Sequence, residues 1–93
     1  MFAIAFDMTV AEIKAHYPKG ISAAYSEIGK TVAPFGFEWV QGSVYTNDAT
    51  DMAPLFSAIE ALKRLPWFRS CLRDIRVFRV ENWSDFTASV KCK

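Results

Sequence analysis

An acidic residue stands near the start of the chain, where a strand and a helix are expected to meet. Asp7 ends the apolar run Phe2–Phe6, and Thr9 and Glu12 directly after it form the capping-box pattern of a helix start. A carboxylate here could hold a divalent metal against a phosphate, or share a proton with a second carboxylate. Aspartate is also common near helix starts, so Asp7 could instead cap the helix. The residues alone leave both roles open.

A polar turn interrupts a second apolar stretch. Gln41, Gly42 and Ser43 separate two runs with strand character, and they offer an amide, a flexible backbone and a hydroxyl that suit phosphate or sugar oxygens. The simpler interpretation is a hairpin turn. From its neighbours alone Ser43 is not expected to be a nucleophile, because the single histidine, His16, lies in the first predicted helix and no motif connects the two. With no partner to orient it, His16 is expected to be a surface residue.

Basic residues concentrate in the C-terminal half of the chain and are interleaved with aromatic ones. The basic residues are Lys63, Arg64, Arg69, Arg73, Arg76 and Arg79, and the aromatic ones are Trp67, Phe68 and Phe78. Such a mixture could clamp phosphates and stack on the unpaired bases of single-stranded RNA. Asp74 and Glu81 lie among them, however, and surface ion pairs are the simpler explanation of mixed charge.

Length and composition limit the class of protein. A chain of 93 residues predicts a single domain, residues 1–93, and its 52% hydrophobic and 15% aromatic residues are a generous apolar supply. A small domain with surplus apolar surface is typical of a homodimer. The net charge of only +1 means that any nucleic-acid binding would depend on a local basic patch.

The cysteines do not indicate a zinc site or a disulfide framework, and the N-terminus does not indicate a signal peptide. Cys71 and Cys92 are far apart and lack zinc-ligand or disulfide-framework spacing, which favours reduced thiols. The N-terminus lacks the pattern of a signal peptide, and no apolar run approaches the roughly 18 residues of a membrane span. We therefore expect a soluble cytoplasmic protein that has no membrane partner and uses no organic cofactor.

The spacing of apolar residues predicts the elements that position these groups. In the first strand, bulky residues alternate with small ones and an acid. One face carries Phe2, Ile4, Phe6 and Met8, and the other carries Ala3, Ala5 and Asp7. A helix follows, breaks at Pro18-Lys19-Gly20 and resumes up to Pro34-Phe35-Gly36. Strands at 37–41 and 43–46 come next, with Gly42 marking a tight hairpin or a bulge.

The second half of the chain repeats the alternation of helix and strand. A helix is predicted to start near Thr50 or Asp51. A helical turn at 66–72 then leads into a strand at 74–80. A final helix, opening at Ser84-Asp85, is predicted to carry two further apolar side chains into the core. These side chains are Phe86 and Val90.

The order strand, helix, strand, strand, helix, strand is that of the ferredoxin-like α+β fold. Its antiparallel sheet has helices on one face, and here a short C-terminal extension is expected. Because the first strand is central in this fold, the face with Ala3, Ala5 and Asp7 would lie open or beneath a partner. A two-fold axis through that face would bring two copies of Asp7 together.

Several blocks of the sequence, in this order, resemble the virulence-associated protein D (VapD) family of small bacterial ribonucleases. The blocks are Ala5-Phe6-Asp7, Gly36–Trp39, Gln41–Tyr45, Trp67-Phe68, Arg73–Arg76 and Ser84–Thr87. That family is similar in turn to small CRISPR-associated ferredoxin-like nucleases, which share a first-strand aspartate and a Gln-x-Ser-Val-aromatic segment. Phe6 stands where those relatives often have tyrosine. Both groups are homodimers.

The resemblance implies an endoribonuclease that acts as a homodimer on RNA, in many cases as the toxin of a toxin–antitoxin pair with a small antitoxin protein. It carries Asp7 over as the catalytic and metal-binding residue and Ser43 as a catalytic-site residue. Gln41, Arg73 and Arg76 are the expected RNA contacts. Asp74 is a weaker transfer, since it could instead hold one of the arginines in place.

Two cleavage routes and one alternative function stay open. A metal such as Mg²⁺, held by paired Asp7 residues, could activate water. The RNA 2′-hydroxyl could instead attack while the protein supplies acid–base catalysis and charge stabilisation. The alternative is a non-catalytic dimeric module that binds nucleic acid or a protein. An acyl-phosphate hydrolase is not favoured, because Met8–Ala11 contains no glycine or arginine to cradle a phosphate.

Overall fold

The alternation in the first strand decides which side of the sheet is covered. In the computed structural model, which describes residues 1–92, strand β1 spans Phe2–Met8. Its bulky residues Phe2, Ile4, Phe6 and Met8 are at most 7% exposed and form the centre of the hydrophobic core. Asp7 on the opposite face is exposed. A period of two residues therefore separates the core face from a second face, as the sequence predicts. On that second face Asp7 is exposed, whereas Ala3 is fully buried.

Five helices and four strands make up the described chain. Their bounds are β1 Phe2–Met8, α1 Val10–His16, α2 Ile21–Val32, β2 Glu38–Gln41, β3 Val44–Asn47, α3 Ala53–Lys63, α4 Pro66–Cys71, β4 Leu72–Arg79 and α5 Thr87–Lys91, with a 3₁₀ turn at Ala33–Phe35. Core residues of α1 to α4 pack on the bulky face of β1. They include Ile13, Ile28, Leu55, Leu62 and Phe68. Within residues 1–92, no helix is both long and apolar enough to cross a bilayer.

The strands form one sheet in the order β2-β3-β1-β4, and every neighbouring pair is antiparallel. This is the ferredoxin-like order with the first strand at the centre, so the predicted fold is confirmed. The centre of β1 is fixed on both sides: Ile4 is opposite Tyr45 of β3 and Val77 of β4. Asp7 therefore lies on a strand that is held by two neighbours.

The first helix begins where the sequence predicts, but not by the predicted bonds. Thr9 is the N-cap residue of α1, yet its side chain makes no capping hydrogen bond. Glu12 does not reach back to the cap. Its Oε2 lies 3.0 Å from Nε2 of His16, one helical turn later. Asp7 is not a cap either, because it belongs to β1, and the helix-capping alternative for it is wrong.

The polar turn between β2 and β3 is both a hairpin and a bulge. Gln41 is opposite Val44, so Gly42 and Ser43 form a two-residue loop, and the register shifts between Trp39 and Gln41. Gly42 has a φ of +46°, and glycine in the first position of such a loop matches the type II′ turn that fits the twist of hairpins.

The C-terminal segment, residues 81–92, corrects one prediction. Phe86 and Val90 do not enter the core: they are 67% and 81% exposed. Helix α5 has only five residues and buries none of them. The apolar spacing of four predicts a buried face, but the core above β1 is already filled by α1 to α4. Hydrogen bonding from the Thr87 side chain, and secondly from the Thr87 amide, lowers the pKa of the Asp85 carboxyl.

Gly29 of α2 is a helical glycine that the backbone does not require. Its φ is not positive, and a Cβ at this position would meet only the Tyr45 ring, at 4.0 Å. Replacing Gly29 with alanine should raise the free energy of unfolding by about 0.5–1 kcal/mol, because alanine loses less backbone entropy in a helix. Urea unfolding measures this, and a less stable variant would contradict the clearance at Tyr45.

Candidate active site on the open face of the sheet

The open face is the side of the sheet that carries Ala5, Asp7, Val44, Asp74 and Arg76. Their positions follow from the register, in which Ala5 is opposite Val44 and Arg76 while Asp7 is opposite Asp74. Residues directly opposite on antiparallel strands point to the same side. Ala5 is the only one of the five without side-chain atoms beyond Cβ, so little side-chain volume projects from the middle of this face.

Asp7 faces an arginine that a bulge puts beside it. The β1–β4 register shifts between Asp7, opposite Asp74, and Met8, opposite Leu72, so Arg73 is the extra residue. A bulge of this kind re-aims a side chain. The Arg73 Nε lies 3.8 Å from the Asp7 Oδ2, and the two side chains are 67% and 64% exposed. Asp7 is thus an accessible carboxylate with a cation at its side.

Asp74 is the second carboxylate of the site. Its two oxygens lie 3.3 and 3.1 Å from Nε of Arg76. Like charges directly opposite on neighbouring strands destabilise a sheet, and the two arginines offset the repulsion between Asp7 and Asp74. Both ion pairs are exposed and contribute at most about 1 kcal/mol each. A phosphate could therefore draw the guanidinium groups away at little cost.

Ser43 is bonded to Phe6 of β1 through its main chain and to α2 through its side chain. Its carbonyl accepts the amide of Phe6 at 3.2 Å, so the hairpin turn and Asp7 share one end of the sheet. Its hydroxyl lies 3.0 Å from the Tyr25 hydroxyl. Sequence reasoning did not find Tyr25 as the partner of Ser43, because the two residues are 18 positions apart and no local pattern connects them.

Gln41 lies further from Asp7 than the other predicted contacts. It is exposed at the end of β2, and β3 separates that strand from β1. Gln41 and Val40 line a cavity of about 820 Å³ with Trp83 and Phe86 of the C-terminal segment. The structure therefore brings together Asp7, Arg73, Asp74 and Arg76. Ser43 lies at the same end of the sheet, but its hydroxyl faces Tyr25 on the helix side, and Gln41 lies at the edge.

Comparison with known proteins extends along nearly the whole chain. No family model matches it. Among curated proteins it is 59% identical to the endoribonuclease VapD homolog of Neisseria gonorrhoeae, over 98% of this chain and 99% of that protein. It is 53% identical to the endoribonuclease VapD of Dichelobacter nodosus, covering 98% of each chain. The chain belongs to the VapD family. The resemblance seen in the sequence blocks is thereby confirmed.

A more distant relative preserves the full-length match. The endoribonuclease VapD of Haemophilus influenzae is 50% identical over 98% of this chain and 99% of that protein. Because the match reaches both ends of these VapD proteins, it includes β1 with Asp7 as well as β4 with Asp74. The open face thus lies in the part of the chain that is comparable with its VapD relatives.

Much of the predicted basic cluster of this VapD family member is engaged within the chain. Arg73 and Arg76 pair with Asp7 and Asp74, and Lys63 pairs with Glu60 at 3.1 Å. The cluster also contains Arg79, whose guanidinium lies 5.6 Å from the centre of the Phe2 ring. Ion pairing, the simpler explanation of the mixed charge, accounts for Lys63, Arg73 and Arg76 in the absence of a ligand. His16 is exposed, as predicted, and its neighbour is Glu12.

Asp7 and Asp74 are the two carboxylates of the open face that a metal ion could use. Within residues 1–92 there is no group of three or more His, Cys, Asp or Glu side chains close enough to hold a metal ion. One chain therefore offers at most Asp7 with Asp74 opposite it. Mg²⁺ commonly binds through one or two carboxylates and takes its other ligands from water and substrate phosphates. Asp7 and Asp74 are ligands of that kind and number.

Proposed function

We propose that this chain is an endoribonuclease that cuts RNA phosphodiester bonds on the open face, around Asp7. The observation that supports this most is the arrangement at one end of β1, where an exposed carboxylate lies opposite a second one and each is paired with an exposed arginine. Arginine binds phosphate through strong, directional hydrogen bonds. Names of VapD relatives as endoribonucleases agree with this chemistry.

The roles of the residues follow from their charge and exposure. Arg73 and Arg76 would bind the phosphate and stabilise the negative charge that grows on its oxygens in the transition state. This would release Asp7 from Arg73 so that it can take a proton or hold Mg²⁺. Ser43, and more remotely Gln41, would contact the sugar or phosphate oxygens beside the cut. Bound Mg²⁺ would supply Lewis-acid stabilisation of a phosphoryl oxygen.

Two routes differ in the nucleophile and therefore in the products. If the 2′-hydroxyl attacks phosphorus, its proton goes to a base, the 5′-oxygen leaves with a proton, and a 2′,3′-cyclic phosphate and a 5′-hydroxyl are formed. If water attacks, one fragment ends in a linear phosphate and the other in a hydroxyl. In either case Asp7, whose Oδ2 lies 3.8 Å from Nε of Arg73, is the proposed proton acceptor.

We further propose that the protein acts as a homodimer in which the open faces meet. Support comes from large apolar side chains that are exposed to solvent. One of them is Phe78 of β4, which is 46% exposed and lies opposite Ala3 of β1. Exposed apolar patches on small proteins mark contact surfaces. A two-fold axis here would place two Asp7 residues near one another. Sedimentation equilibrium should give twice the chain mass, and a monomer at micromolar concentration would refute the dimer.

The proposed role of toxin in a toxin–antitoxin pair rests only on membership of the VapD family. An RNA-cutting enzyme without a partner would arrest growth when its synthesis is induced. The same induction of an Asp7→Asn variant would not. A small antitoxin protein made beside it would restore growth to the wild-type culture.

Cleavage itself is tested with purified chain and end-labelled single-stranded RNA, in Mg²⁺ and in chelator. We expect internal cuts in at least one condition, and the end groups of the fragments identify the route. Loss of cutting in chelator that Mg²⁺ restores would assign the metal-dependent route. RNA that stays bound and intact in both conditions would refute the proposal and favour the non-catalytic binding module.

A further inference from the structure

A second cavity lies on the helix side of the β2–β3 hairpin, away from the open face. It has a volume of about 520 Å³, and its lining includes the aromatic rings of Tyr25, Trp39 and Tyr45 together with Ser22 and Ser26 of α2. Small-molecule sites are typically cavities of roughly this size with mostly aromatic or apolar walls and a few polar groups. None of the residues that line it is charged, so the cavity suits a neutral, flat ligand.

Trp39 is presented to solvent in a fixed orientation. It is 64% exposed, yet its Nε1 donates a hydrogen bond to the Gly42 carbonyl at 2.9 Å. A large ring that is both exposed and held in place loses little freedom when a ligand stacks on it. Burial, with a smaller repulsion from Tyr25, raises the pKa of Tyr45, so the neighbouring ring stays a neutral phenol.

Gly29 makes room for the cavity at a cost to its helix. It lies inside α2, where glycine is less favourable than almost any other residue. Neither a positive φ nor a close neighbour explains it, because a Cβ there would be 4.0 Å from the nearest atom, in the Tyr45 ring. What a side chain at position 29 would fill is the cavity.

The cavity is connected to the proposed active site by two hydrogen bonds. Tyr25, in its wall, lies 3.0 Å from the Ser43 hydroxyl. The Ser43 carbonyl in turn accepts the amide of Phe6, the residue before Asp7. A nucleotide chain that crosses the hairpin turn could thus reach both places.

We propose that this cavity binds one unpaired base of the RNA, stacked on Trp39 near the bond to be cut. The inference rests on the proposed ribonuclease function and adds a subsite to it. Ser22 and Ser26 are four residues apart and share a helix face, and their hydroxyls have no hydrogen-bond partner within residues 1–92. They are available to the polar edge of the base. Stacking of unpaired bases on aromatic rings is the usual mode of single-strand recognition.

The test uses two variants that alter the cavity in different ways. Gly29→Leu fills it while improving the helix, and Trp39→Ala removes the stacking ring. For each we expect kcat/KM on single-stranded RNA to fall by about 5- to 150-fold, mainly through KM, the range that one lost stacking contact represents. The control is Phe56→Ala, which removes a ring of almost the same exposure, 63%, on α3. It should cut with the wild-type KM.

A second readout separates the subsite from catalysis. The four nucleosides, which carry no phosphate, are titrated while the Trp39 indole N–H is followed by NMR, with Trp39→Phe identifying its signal. At least one nucleoside should shift the signal in the wild type and not in Gly29→Leu, whether or not RNA is cut. Unchanged KM and no nucleoside shift would overturn the subsite even if RNA is cleaved. So would a loss of dimer in Gly29→Leu without a nucleoside effect, because a second copy would then fill the cavity.

Discussion

Asp7→Asn is expected to lower the rate constant of RNA cleavage by about 10²- to 10⁴-fold, the usual effect of removing a general acid or base. Asparagine keeps the shape of the side chain but cannot take a proton or carry the charge that binds a metal. The fold should survive, since Asp7 is 64% exposed and its ion pair with Arg73 is long, 3.8 Å. Single-turnover rates at saturating enzyme measure the effect apart from RNA binding.

The matched control for this change is Asp48→Asn. Asp48 is exposed and follows β3 at Asn47, which is opposite Phe2 at the far end of β1 from Asp7. It should cut RNA at the wild-type rate. Equal rates for Asp7→Asn, Asp48→Asn and the wild type would remove Asp7 from the mechanism.

Phe6→Ala is expected to have the largest effect on stability, a loss of about 3–5 kcal/mol. Phe6 is 7% exposed, and its ring lies 5.4 Å from that of Phe68, 5.9 Å from Tyr45 and 6.2 Å from Tyr25, centroid to centroid. Its removal takes one ring out of a cluster that joins the central strand to two helices and β3. The free energy of unfolding of a small domain is only about 5–15 kcal/mol, so much of the stability would be lost.

Urea unfolding measures this loss if the free energy of unfolding depends on urea concentration with the same slope in the variant and in the wild type. It is run at two protein concentrations, because the stability of a dimer depends on concentration. The control is Phe56→Ala on the surface of α3, for which the change should stay within about 0.5 kcal/mol. A loss below 1 kcal/mol in Phe6→Ala would mean that the aromatic cluster does not hold β1 in place.

The sequence predicts the open face because its signal is local. Bulky residues alternate with Ala3, Ala5 and Asp7 in β1, and that period alone puts Asp7 on the face of the sheet that points away from the core. The helix break at Pro18 to Gly20 and the hairpin at Gly42 are likewise determined by the residues at those positions. Element order then follows from short connections.

The composition of the site depends on register, which local patterns do not determine. Asp74 is opposite Asp7 only because β4 pairs with β1 with a bulge at Arg73, and these strands are far apart in sequence. The same holds for Tyr25 and Ser43. Local patterns also mislead where a side chain has two possible partners. Glu12 could cap α1, but its carboxylate pairs with His16 instead. Val90 has helical spacing but finds no room in a core that other helices fill.

The central claim is that the chain cuts within RNA by means of Asp7, and a circular single-stranded RNA tests it most directly, because a circle has no ends for an exonuclease. We predict that the wild type converts the circle to a linear form, and that Asp7→Asn, shown to be folded by circular dichroism, leaves it closed over the same time. A circle that stays closed with the wild type would contradict the claim, as would one that Asp7→Asn opens at the wild-type rate.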